Sequence, residues 1–254
     1  MSARKVAIAL SMLVIAVAPA LLTGCGGGGE ATGASGSASV TAGATESRPL
    51  DLVLPDCSHS FRRHSEQLVP EMVEVALNSA EQRRMLWAGC FAGAPLRHLV
   101  WDPKIDFGEL PDSLARNSRL ADRFDQARAL GLRKEFKKII YDTPRKAPGS
   151  GQLEALELAS QTPGVGRVIM FTDALVLEPE GIVLRTATRA EVEEAIARWA
   201  PRMRGLKGVE LVFVGVGLGS LSAKSVRNAR TLFHGLATQV GATFSWTRSL
   251  PLEF

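Results

Sequence analysis

LDLVLPDCSHSF, residues 50–61, decides how the rest of the chain is read. LDLVL is a short apolar run of strand length. On its last step come Asp56, Ser58 and Ser60, an acid and two hydroxyls at every second position. A strand that is apolar on both faces belongs inside a parallel sheet covered by helices, and side chains two apart leave its end on the same side. Working outward, blocks of the same kind recur. RRMLWAGCF (83–91), LRHLVW (96–101), RVIMFTD (167–173), GVELVFVGVG (208–217) and ATFSWT (242–247) read as strands, with the third antiparallel at an edge. Between them lie helical patterns. Residues 61–80 place Leu68, Met72, Val75 and Ala76 on one side, with a kink or restart expected at Pro70. Residues 112–140 are polar and helical without clear ends. GQLEALELASQ (151–161), RAEVEEAIARWAPRM (189–203) behind a Thr188 cap, and residues 222–241 closed by Gly241 complete the set. This alternation predicts an α/β fold: a doubly wound, mostly parallel sheet with one antiparallel edge strand and helices on both faces. In such sheets ligands sit beyond the carboxyl ends of the strands.

The amino terminus reads differently. Arg4 and Lys5 precede an apolar stretch from Val6 to Leu22, and LLTGC ends it at Cys25. That is the layout of a secretory signal (residues 1–24), too short for an ordinary span, and its junction resembles the lipobox of bacterial lipoproteins. Cys25 is then the lipidated residue, the alternatives being an uncleaved anchor or a plain signal cut nearby, and the chain is expected on the extracytoplasmic face of a cell membrane. Residues 26–47 are nearly all Gly, Ala, Ser and Thr, so 25–47 reads as the lipidated cysteine and a linker with a reach of roughly 25 Å. Residues 48–254 form one folded domain by length and composition. The net charge is +4, and losing Arg4 and Lys5 leaves +2, which argues against nucleic acid as a partner. With Cys25 acylated, Cys57 and Cys90 remain: a disulfide or two buried thiols.

Three polar strand or helix ends stand out: Asp56-x-Ser58-x-Ser60, Ser150 between glycines in PGSGQLEAL, and Thr172 and Asp173 in FTDA. In this order, across this alternation, they resemble a von Willebrand factor type A domain and its metal-ion-dependent adhesion site. The similarity covers roughly residues 50–245 and includes the ending FVGVG (213–217). It implies that Asp56, Ser58, Ser60, Ser150 and Asp173 hold Mg²⁺ or Mn²⁺, and that an acidic side chain of a protein partner completes the coordination. The chemistry is coherent. Magnesium takes oxygen ligands in near-octahedral geometry, and neutral hydroxyls leave it charge to offer an outside anion. Zinc fits poorly, because His59, His64, His98 and His234 are scattered. The chain departs from the family at Ser150, where threonine is usual, at Pro55, at Cys57 and His59 between the site residues, and at Ala174, where glycine is common. The plainer alternative has Asp56 capping the 61–80 helix.

Other signals carry less. GVGLGS (215–220) lacks the third glycine of a dinucleotide loop, so no nucleotide is expected. RKEFKK (133–138) is either a solvated helix face or a basic patch for anionic headgroups. The expected function is a lipid-anchored, non-enzymatic module that binds a protein through a divalent metal. The alternatives are a structural or assembly component of the cell envelope with incidental metal, and a metal-dependent hydrolase using His59 or His64.

Overall fold

The computed structural model describes residues 48–93, 99, 101–142, 151–175, 181–218 and 222–247. The signal, Cys25, the linker and Ser150 lie outside them. Six strands form one sheet: β1 (Leu50–Pro55), β2 (Met85–Ala88), β3 (Lys104–Asp106), β4 (Val165–Phe171), β5 (Glu210–Val214) and β6 (Thr243–Thr247). Their order is β3-β2-β1-β4-β5-β6, parallel throughout except for β3, which runs antiparallel to β2 at the edge. The chain is therefore an α/β fold with the doubly wound layout.

The helices are α1 (Arg62–Gln67), α2 (Val69–Glu81), α3 (Asp112–Ala115), α4 (Ser118–Asp142), α5 (Gln152–Ser160), α6 (Arg189–Trp199) and α7 (Ala223–Val240). A 3₁₀ segment (Ala200–Leu206) follows α6. Period-two burial sorts the central strands between two cores. Leu52 and Leu54 of β1, Val168 and Met170 of β4, and Leu211 and Phe213 of β5 pack with α5, α6 and α7. Their alternates, Val53, Ile169, Phe171, Val212 and Val214, pack with α1, α2 and α4. Each such side chain contributes roughly 1.5–3 kcal/mol on burial, which is why β1, β4 and β5 admit no exposed face.

Local chemistry sets the helix ends. Pro70 stands in the first turn of α2, and the chain breaks at Leu68, so the 61–80 pattern is two helices. Thr188 accepts from the Glu191 N–H while Glu191 returns a bond to Thr188, a complete capping box. Ser222 caps α7 through Ser225 N–H, and Gly241 ends it at φ +75°.

The edge strand is corrected. It is Lys104–Asp106, not 96–101; Leu99 and Trp101, the described residues of that stretch, lie outside any strand. An edge strand packs against one neighbour only, so the short and half-exposed KID suffices, and apolar density misplaces it.

The amino end of the sheet carries a feature the sequence reading missed. Asp51, fully buried in β1, accepts from Ser79 Oγ at 2.6 Å, Arg84 Nε at 2.8 Å and Arg167 Nη2 at 2.7 Å. Two guanidiniums and a hydroxyl thus offset its desolvation.

Candidate metal centre

At the opposite end, β1 and β4 lie side by side, but the chain leaves them toward different faces. After β1 it enters α1 and α2 on one side; after β4 it goes on to α6 on the other. That divergence opens a crevice at the strand ends, where open α/β sheets place ligands. Asp56 and Asp173 stand on its two walls.

Asp56 is the first residue beyond β1. Its backbone N–H donates to Phe171 O at 2.8 Å, tying it to β4, and Ser65 Oγ of α1 donates to its carbonyl at 2.6 Å. Its side chain turns into the crevice: Oδ1 accepts from the Ser58 N–H at 2.9 Å and Oδ2 from Thr172 Oγ1 at 3.0 Å. Ser58 is buried and Ser60 exposed, yet their hydroxyls come within 3.4 Å as the loop folds back. The cap of α1 is Phe61, without a side-chain hydrogen bond, so Asp56 does not cap that helix.

Cys57 does not turn away to an unrelated place. It is fully buried and bonded to Cys90 as a disulfide, with Cα atoms 5.8 Å apart. The bridge joins the loops after β1 and β2, between Asp56 and Ser58. His59 is exposed.

Thr172 and Asp173 end the β4 side. Thr172 is a hub: Oγ1 donates to Asp56 and accepts from Gln152 Nε2 at 2.9 Å and from the Ala174 N–H at 3.1 Å. Asp173 Oδ1 accepts from the Leu175 N–H at 2.9 Å. Ala174 holds φ +61°, the left-handed region that explains glycine's advantage there. Gln152 opens α5, directly after Gly151 at φ +64°; its Oε1 is buried without a hydrogen-bond partner among the described residues. The sequence reading set Thr172 beside Asp173 at the strand's end but gave it no role, and it passed over Gln152. The only advance signal was a polar residue at the mouth of an otherwise buried helix, two positions beyond Ser150.

Electrostatics single this place out. Burial pushes the Asp56 carboxyl up to about 7; Ser58 opposes the shift, the neighbouring Asp173 charge adds to it, and Thr172 opposes it. Burial also raises Asp173, against the Leu175 N–H and the charge of His64. Among the described residues no lysine or arginine pairs with either acid. Two repelling carboxylates, partly desolvated and beside two serine hydroxyls, fit a small cation that prefers oxygen. No group of three His, Cys, Asp or Glu suited to a metal occurs among the described residues, so the acids at this place number two.

No family model matches the chain, and no curated protein matches it. Among solved structures it is similar to proximal thread matrix protein 1 from the mussel byssus, at 15% identity and a TM-score of 0.39. The match covers 80% of this chain and spans 44% of that one.

Proposed function

We propose that the folded part is a binding domain of the von Willebrand factor A type, which grips a protein partner through Mg²⁺ or Mn²⁺ and is held at the membrane by acylated Cys25. One observation carries the reading: Asp56 and Asp173 converge at the β1–β4 crevice, two repelling acids that no lysine or arginine pairs with among the described residues. In this reading Ser58, Ser60 and Ser150 supply hydroxyl ligands and the two aspartates supply negative charge. The bound cation supplies an electrophilic position for an acidic side chain of the partner. Thr172 and the Cys57–Cys90 bridge hold the loops in register. No catalytic role is assigned: His59 faces solvent and His64 Nδ1 is engaged with Gln67 Oε1.

The test is direct titration of the purified chain with Mn²⁺, followed by the paramagnetic signal of free ion. Saturable one-to-one binding that Mg²⁺ displaces, and that Asp173→Ala removes with its circular dichroism intact, is the expected result. Binding that survives Asp173→Ala at full affinity refutes the site.

A second reading, an assembly component of the envelope with incidental metal, is favoured by the small number of converging acids. It predicts that chelator leaves partner assembly unchanged.

A further inference from the structure

Helix α4 is the longest element, and its outer face has no use in the metal site. Among the described residues three large apolar side chains are exposed, and all three are on it: Leu120 at 46%, Leu130 at 58% and Tyr141 at 55%. They are not scattered. Leu120, Arg123, Leu130, Lys134, Lys137 and Tyr141 fall on one stripe, at steps of three, four and seven residues. Arg119, Arg133 and Lys138 flank it, while Asp122, Glu135 and Asp142 lie to the sides, Asp122 being engaged by Arg83. The opposite face buries Ala121, Ala129, Leu132, Phe136 and Ile140 in the core, so the stripe is fixed outward.

The start of the fold lies close by. Arg48, where the linker ends, pairs with Asp106 at 2.6 Å; Phe107 follows, and Arg128 of α4 stacks over its ring at 5.5 Å. The composition of residues 26–47 predicts a reach of roughly 25 Å, so an anchor at Cys25 places this side of the domain within range of the bilayer.

We propose that the outer face of α4 lies on an anionic membrane surface, its lysines and arginines among headgroups and Leu120, Leu130 and Tyr141 at the acyl boundary. Basic residues interleaved with exposed apolar ones are what an interfacial helix presents. The inference rests on the amino-terminal stretch holding the chain at a membrane, and is independent of metal. It also orients the domain. Asp122 sits by Arg83, at the start of β2, whereas Lys137 and Tyr141 share a groove with Arg63, Glu66 and Gln67 of α1. Helix α4 therefore runs in the sense of the parallel strands. Lying flat, it turns the crevice sideways, toward partners in the same membrane.

The test is lysine footprinting of the full chain in chelator, with vesicles of phosphatidylcholine alone or with about one-third phosphatidylglycerol. Acetylation of Lys134, Lys137 and Lys138 is expected to fall about fivefold or more with the anionic vesicles and to recover at high salt. Lys207, exposed beyond the 3₁₀ segment on the other side of the sheet, stays reactive. The variant Leu130→Glu restores reactivity at all three lysines. Equal reactivity in both vesicles, equal protection of Lys207, or failure of the chain to float with either vesicle overturns the proposal. Protection by duplex DNA but not by vesicles assigns the face elsewhere and overturns it too.

Discussion

Replacing Asp56 by asparagine separates a metal site from a structural carboxylate more sharply than deleting the side chain. Carboxylate and carboxamide have the same shape. In Asp56→Asn the amide oxygen keeps the Ser58 N–H, and the amide nitrogen can donate to Thr172 Oγ1, whose proton then turns to the unpartnered Gln152 Oε1 once that amide rotates. The contacts of Thr172 are kept, Gln152 Nε2 takes the unpartnered place of Oε1, and the buried charge is gone. The magnitude follows from the raised pKa. A carboxyl at 3.8 in the unfolded chain and about 7 in the folded one favours folding while protonated. That contribution is complete below 3.8 and is lost as pH rises through 7, amounting to about 4 kcal/mol by pH 8 at 1.36 kcal/mol per unit.

In chelator at pH 8, Asp56→Asn is therefore expected to melt about 8–16 °C above the wild type, since each kcal/mol moves a domain of this size by roughly 2–4 °C. The wild type should lose stability between about pH 4 and 7, and the variant should stay nearly flat. Magnesium narrows the difference without reversing it. At about a hundredfold excess over its dissociation constant it adds roughly 2.7 kcal/mol to the wild type and nothing to the variant. Thermal melts by circular dichroism at three pH values, with and without Mg²⁺, give every comparison. A variant that melts below the wild type in chelator, beside a wild type indifferent to both pH and Mg²⁺, overturns this account and makes Asp56 a structural acceptor.

Thr172→Val keeps the shape but removes a hub, leaving Asp56 Oδ2, Gln152 Nε2 and the Ala174 N–H without their partner; it should cost roughly 2–3 kcal/mol in urea unfolding. Ala174→Gly relieves a left-handed alanine and should stabilise the chain to urea by up to about 1 kcal/mol, offset by greater freedom of the unfolded chain. Replacing Cys57 and Cys90 together by serine opens a loop of 33 residues and should cost about 3–4 kcal/mol. Because the bridge sits between Asp56 and Ser58, the same variant should also weaken Mn²⁺ binding.

The sequence made some of this legible and hid the rest for identifiable reasons. Strands β1, β4 and β5 were readable because burial on both faces leaves them no polar alternation, and their carboxyl ends could be aligned without coordinates. The edge strand was not, because KID is half-exposed and its pairing with β2 depends on backbone. Asp56 and Asp173 announced themselves by standing where apolar runs stop. Thr172 lay beside one of them, but its hydrogen bonds to Asp56 and Gln152 are tertiary, the first reaching across 116 positions. Asp51 was invisible for the same reason. An acid inside LDLVL makes sense only once Arg84 and Arg167, 33 and 116 positions away, are seen to meet it.

Asp51 supplies the control for Asp56. Both are aspartates that bracket one strand, and both are fully or nearly fully buried. The fold meets the first with two arginines and a serine, so its charge is held inside the protein. The second receives the amide and hydroxyl of Ser58, the Thr172 hydroxyl and another acid across the crevice, but no cationic side chain among the described residues. Desolvating a carboxylate is expensive wherever it occurs, and this chain shows at Asp51 that it can supply basic partners to offset the cost. The part of that cost left uncompensated at the β1–β4 crevice, where sheets of this topology take ligands, is what supports the proposal of a cation there. An Asp51→Asn variant gives the contrast: it strands two guanidiniums, should lose roughly 3–5 kcal/mol, and should leave Mn²⁺ affinity untouched. Loss of metal binding in that variant, with the fold intact, would break the distinction between the two ends.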